Sequence, residues 1–194
     1  MKVPFHLDRR QAVSASLLSL SLAPVPLWPA TAATASEAWP LIGLGTCCDE
    51  PSVVAAQVVS AVEAGFRLVD TAAHYPGESG VGDALAALNA RGAVRPGEVQ
   101  VCSKVWFDEM GYEPTLSSAR GSLARLRREQ LDLLLVHFPG SPDAVQDPKA
   151  NRRRRAETWR ALETLQVDGY VRRIGVSNWT RRHAASHKIL LPTS

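Results

Sequence analysis

From Trp39 onward, short apolar runs that end in polar residues alternate with stretches in which apolar residues recur every three or four positions. Five runs read as strands: WPLIGLGT (39–46), FRLVDTA (66–72), VQVCSKVW (99–106), LDLLLVHFP (131–139) and VRRIGVSNW (171–179). Their nearly continuous apolar content suits strands covered on both faces, as in a parallel sheet. Four helices fill the intervals. Val54, Val58, Val59 and Val62 share one helical face, with Gly65 where a C-terminal cap belongs. Residues 78–90 (ESGVGDALAALNA) supply the second helix, and Leu116, Ala119, Leu123 and Leu126 the third. Trp159, Leu162 and Leu165 mark the fourth, ahead of a turn at residues 168–170 (DGY).

Strands and helices alternating at this period need right-handed crossovers, which give either an open doubly wound sheet or a (β/α) barrel. The strand ends discriminate. Asp70, Lys104, His137 and Asn178 each fall at or near the C-terminal end of a strand, 34, 33 and 41 residues apart, about one βα unit each. A barrel gathers side chains from that rim into its site while the interior below is packed with apolar groups. Singly, each residue has a structural explanation: a cap, an ion pair or a satisfied core histidine. Their repetition at one place on successive units favours a shared site. No GxGxxG or GxxxxGK[ST] follows the first run, which disfavours a nucleotide-binding doubly wound sheet. One His, one Asp, one Lys and a Tyr make a poor metal-ligand set, since the ammonium would repel a cation.

The chain has 194 residues, 45% of them apolar, enough for a real core. Its net charge of +3 is concentrated in the first ten residues, where Lys2, Arg9 and Arg10 stand against Asp8. The remainder is close to neutral, and no nucleic-acid partner is expected. The run Arg152–Arg155 reads as a solvated loop and helix start. Cys47, Cys48 and Cys102 match neither a CxxC metal pattern nor an even disulfide framework, so free thiols are expected.

Residues 1–35 read as a signal or targeting leader. A basic start precedes an apolar stretch from about Ala12 to Ala23, followed by small residues and a cleavage-like ATA at 33–35. The stretch is too short for a stable membrane span, and Pro24, Pro26 and Pro29 follow it. Arg9 and Arg10 resemble a twin-arginine signal, so the expected location is exported or organellar (periplasm, plastid or thylakoid lumen), and cytoplasmic if the leader does not function.

The blocks LIGLGT, GFRLVDTAAHY, ESGVGDAL, SKVW, LDLLLVHFP, RAETWRALETL and RRIGVSNW, in this order, resemble the aldo-keto reductase family across about residues 39–179. The resemblance implies an α/β fold of the (β/α)8 TIM-barrel type and reduction of aldehydes or ketones to alcohols with NADPH. Carried over by position, the catalytic set is Asp70, Tyr75, Lys104 and His137. Ser177 and Asn178 hold the cofactor's carboxamide, and Trp106 lines the substrate pocket. Tyr75 donates the proton, the Lys104 ammonium favours the ionised phenol, Asp70 keeps the lysine placed, and His137 orients the carbonyl. Pro76 and Gly77 stand where many relatives have a Gly-Asn pair, which alters the loop and spares the proton donor.

The resemblance covers about five strands and four helices of a barrel that needs eight of each and about 250 residues. An incomplete, C-terminally truncated barrel is therefore expected at 36–179, followed by a divergent tail at 180–194. Open sheet edges would invite self-association, and NADPH binding would be weakened. The alternative reading is a noncatalytic fragment or interaction module that does not hold the cofactor tightly. The partner class is a small carbonyl compound.

Overall fold

The computed structural model of the chain describes residues 39–142 and 147–185, all within the compact unit Ala35–Ser194. The leader at 1–35 lies outside the described residues, as does the tail beyond residue 185.

The described elements run in the order β1 (Leu44–Gly45), α1 (Pro51–Glu63), β2 (Leu68–Asp70), α2 (Glu78–Ala90), β3 (Gln100–Val105), a 3-10 turn (Phe107–Glu109), α3 (Tyr112–Leu126), β4 (Leu131–Val136), α4 (Pro148–Val167), β5 (Val171–Val176) and α5 (Arg181–Ala185). The strands form one parallel sheet in the order β1-β2-β3-β4-β5. The register places Leu44 beside Val69, Val69 beside Val101, Cys102 beside Leu133 and Leu133 beside Arg173. Spatial order equals chain order, without the reversal that defines a doubly wound sheet. This is the winding of a (β/α) barrel, and β1 and β5 are its edges among the described residues.

The helical spacing survives folding because each apolar stripe meets the sheet. Val54, Val58 and Val62 of α1 are buried, as are Leu116, Ala119, Leu123 and Leu126 of α3 and Leu162 and Leu165 of α4. Gly65, just past α1, has φ 98°, a conformation that costs glycine nothing and lets the chain turn into β2. Asp147 caps α4, its Oδ1 accepting from the N–H groups of Lys149 and Ala150 at 3.1 and 2.9 Å. The run Arg152–Arg155 lies wholly inside α4.

Two expectations are corrected. The first apolar run pairs only over Leu44–Gly45, and Leu41 and Ile42 are exposed. With a single neighbouring strand among the described residues, β1 is hydrogen-bonded only where β2 lies alongside it, whereas β3 and β4, flanked on both sides, pair over their full lengths. The cysteines are the second correction: Cys47 and Cys48 are joined by a disulfide, and only Cys102 is free, buried in β3. Adjacency in the chain, in an exposed loop, brings the first two sulfurs together.

Beneath the strand ends lies a buried carboxylate. Glu78, at the start of α2 and fully enclosed, accepts from Ser103 Oγ at 2.6 Å, Ser122 Oγ at 3.1 Å and Arg125 Nε at 2.7 Å. Arg125 Nη2 also reaches the Ala73 carbonyl at 3.4 Å. The network ties α2, β3 and α3 to the loop after β2.

Candidate active site

Four strand ends converge on one rim. Past each strand's last paired residue the ladder continues for a step: Thr71 N–H donates to the Cys102 carbonyl, Ala73 N–H to Lys104, His137 N–H to Val105 and Ser177 N–H to Val136, at 2.9–3.0 Å. These bonds fix the backbone from which the polar side chains project.

Lys104 is the centre of the cluster and is 6% exposed. Its Nζ is hydrogen-bonded to Asp70 Oδ1 and donates to the Thr71 carbonyl at 2.9 Å. A buried ammonium is tolerable only with such partners. The same nitrogen lies 5.3 Å from the centroid of the Tyr75 ring. Tyr75 meets His137 edge to face, with centroids 5.7 Å apart at 71°. The lysine, the phenol and the imidazole therefore share one side of the sheet.

His137 is 5% exposed, and its Nδ1 is buried with no hydrogen-bond partner among the described residues. Burial, aided by the neighbouring Lys104 charge and opposed by Asp70, lowers its pKa from the ordinary 6.5 to about 4. At neutral pH the ring is uncharged. Cys102, on the strand pair below, is pushed up to about 12 by burial and then by the Asp70 charge, and stays a thiol.

Trp106, directly after β3, is half-buried and packs edge-on to His137 with centroids 4.8 Å apart. Asn178 has φ 60° and turns its amide back, Nδ2 donating to the His137 carbonyl at 3.0 Å and to Ser177 Oγ at 3.1 Å. The structure thus brings Asp70, Tyr75, Lys104, Trp106, His137, Ser177 and Asn178 to one mouth. Three aromatic groups join them that the strand-end pattern did not single out. His74 stacks on Trp106 at 4.4 Å, Phe138 stacks on His137 at 4.6 Å, and Phe107 packs on Trp106 at 4.7 Å. The signal available was an aromatic immediately beside each candidate, in the pairs His74–Tyr75, Trp106–Phe107 and His137–Phe138. Among the described residues no group of His, Cys, Asp and Glu is placed to hold a metal, and no helix is long and apolar enough to cross a membrane.

A parallel sheet wound in chain order, with its polar cluster at the C-terminal strand ends, defines an α/β protein of the barrel type. Residues 41–189 match the Aldo/keto reductase family, and the chain belongs to that family. It is 41% identical to the glyoxal reductase of Bacillus subtilis (strain 168) over 145 residues, 74% of this chain and 47% of the relative. It is 37% identical to aldo-keto reductase family 1 member A1 of Rattus norvegicus over 153 residues, 74% of this chain and 47% of that one. Among solved structures, the Bombyx mori aldo-keto reductase in complex with NADP is similar with a TM-score of 0.69 at 31% identity, over 80% of this chain and 52% of that one. The chain spans about half the length of the curated relatives it matches.

Proposed function

We propose that the mouth is the proton-donating half of a carbonyl reductase site, with NADPH as reductant and a small aldehyde or ketone as substrate. The observation that carries this reading is the Asp70–Lys104 pair lying against the Tyr75 ring, with the uncharged His137 ring edge to face with the phenol. The buried Lys104 ammonium beside the ring places positive charge near the point where negative charge develops during proton transfer. Asp70 holds that cation in place. Tyr75 gives its proton to the carbonyl oxygen as negative charge develops there. The neutral His137 ring offers one N–H to the same oxygen and adds no competing positive charge.

The residues fit a nicotinamide group. Ser177 and Asn178, just past β5, offer a hydroxyl and an amide tied to the His137 backbone, and His74 and Phe138 pack on Trp106 at the same rim. That donor set suits a flat ring bearing a carboxamide. When bound, NADPH would supply the hydride for the carbonyl carbon.

The test is NADPH consumption with methylglyoxal, beside a fluorescence titration of NADPH binding. Active protein should lose turnover on Tyr75→Phe and keep cofactor binding. Turnover retained in Tyr75→Phe would assign the proton to another group. Absence of NADPH binding up to millimolar concentration would sink the reading for this chain acting alone. The edges of β1 and β5, unpaired among the described residues, support the second reading, an interaction module that associates through its sheet edges. For residues 1–35 we propose export, on the basic start, the Arg9–Arg10 pair and the short apolar stretch. Fractionation of cells expressing the chain with and without that segment checks it.

A further inference from the structure

Cys47 and Cys48 follow β1 after Thr46, at the C-terminal end of the strand, and the reduction chemistry uses neither. Both are exposed and joined by a disulfide. Cys48 has φ 75°, in the left-handed region that side-chain-bearing residues seldom occupy. The segment that carries the pair is anchored on both sides, to the site upstream and to α1 downstream. Upstream, Thr46 N–H and Oγ1 both donate to the Asp70 carbonyl, at 3.0 and 3.3 Å. Downstream, Asp49 Oδ2 accepts from Gln57 Nε2 at 2.8 Å. The backbone then runs close against the start of α2. A Cβ at Gly77 would lie 2.3 Å from Val54 Cγ2 and 3.0 Å from the Asp49 carbonyl oxygen, and one at Gly80 only 2.0 Å from the Pro51 carbonyl oxygen. Gly77 is two residues past Tyr75, whose carbonyl accepts from Glu78 N–H at 3.2 Å.

We propose that Cys47–Cys48 is a thiol–disulfide exchange site whose redox state sets the conformation of the loop that presents Tyr75. The co-reactant is a dithiol. One of its thiolates attacks an exposed Sγ, forming a mixed disulfide and releasing the other Sγ as a thiolate that takes up a proton. The dithiol's second thiolate then attacks its own half of the mixed disulfide and expels the remaining protein sulfur, which is protonated in turn. Two electrons and two protons pass to the protein, and the dithiol leaves as a cyclic disulfide. Opening the ring removes the bond that constrains Cys48 to its left-handed conformation, so residues 47–50 can relax. Backbone contact at Gly77 and Gly80 passes that shift to residues 75–78. Cys102 takes no part: it is buried and its high pKa leaves it almost no thiolate.

The full chain, without carbonyl compound or NADPH, is alkylated with iodoacetamide in native buffer before and after dithiothreitol, and its peptides are weighed. Hydrogen–deuterium exchange of the peptides spanning 46–50 and 73–78 is followed in parallel. The expected result is no label on Cys47 and Cys48 before reduction, both labelled after it, and Cys102 unlabelled throughout. Exchange at 73–78 should be several-fold faster in the reduced chain. The Cys47→Ser, Cys48→Ser double variant should show that faster exchange at once and ignore dithiothreitol. Label on either exposed cysteine before reduction, or exchange at 73–78 unmoved by reduction, overturns the proposal. Neither readout involves turnover, so failure here leaves the carbonyl-reductase reading standing, and failure there leaves this one.

Discussion

The Glu78–Arg125 pair should fail asymmetrically. Glu78 is 0% exposed, while the Arg125 side chain is 41% exposed, so the two partners face different alternatives when the other is removed. In Arg125→Met the carboxylate is left in the interior with Ser103 and Ser122 as its hydroxyl donors. A buried charge stripped of its countercharge costs about 3–5 kcal/mol, a large part of a stability of about 5–15 kcal/mol. In Glu78→Gln the amide oxygen keeps one acceptor, a serine hydroxyl can turn to accept from the new NH2, and the arginine head already has water to turn to. The loss is then that of a charge-assisted hydrogen bond, about 1–2 kcal/mol. Urea unfolding followed by tryptophan fluorescence measures both. Equal costs or the reverse ranking would refute the argument.

His137 makes the wild-type chain acid-sensitive in a defined window. Between its ordinary 6.5 and about 4 the unfolded chain binds a proton that the folded ring refuses, so stability falls as pH drops through that range. At 1.36 kcal/mol per pH unit, discounted for water at the mouth, the loss is about 1–3 kcal/mol, and acid titration of His137→Gln should lack it. Gly80→Ala should cost about 1–3 kcal/mol in thermal or urea unfolding, because its Cβ would overlap the Pro51 carbonyl and the two backbones must part. Through the edges of β1 and β5 the purified chain should associate, and size-exclusion chromatography giving a well-behaved monomer at all concentrations would contradict that.

Much of the architecture is written locally. An apolar run closing on Asp70, Lys104 or His137 already carries its strand and its rim position, because alternation and strand-end polarity are properties of a few neighbouring residues. The valine stripe of α1 and the leucine stripes of α3 and α4 are read the same way, since a helix shows its buried face at a fixed spacing. The order of the strands, and hence barrel winding, needed the hydrogen-bonded register. Leu41 and Ile42 look like strand core and are exposed, because pairing depends on how far a neighbouring strand extends. Glu78 reads as an ordinary first-turn acid, and only the packing of α2 against β3 and α3 encloses it and gives it three donors. His74, Phe107 and Phe138 became walls of the mouth, and Asp49 came to lie on Gly77, for the same reason: contacts between segments distant in sequence are set by the sheet, and a one-dimensional pattern contains no record of which surfaces meet.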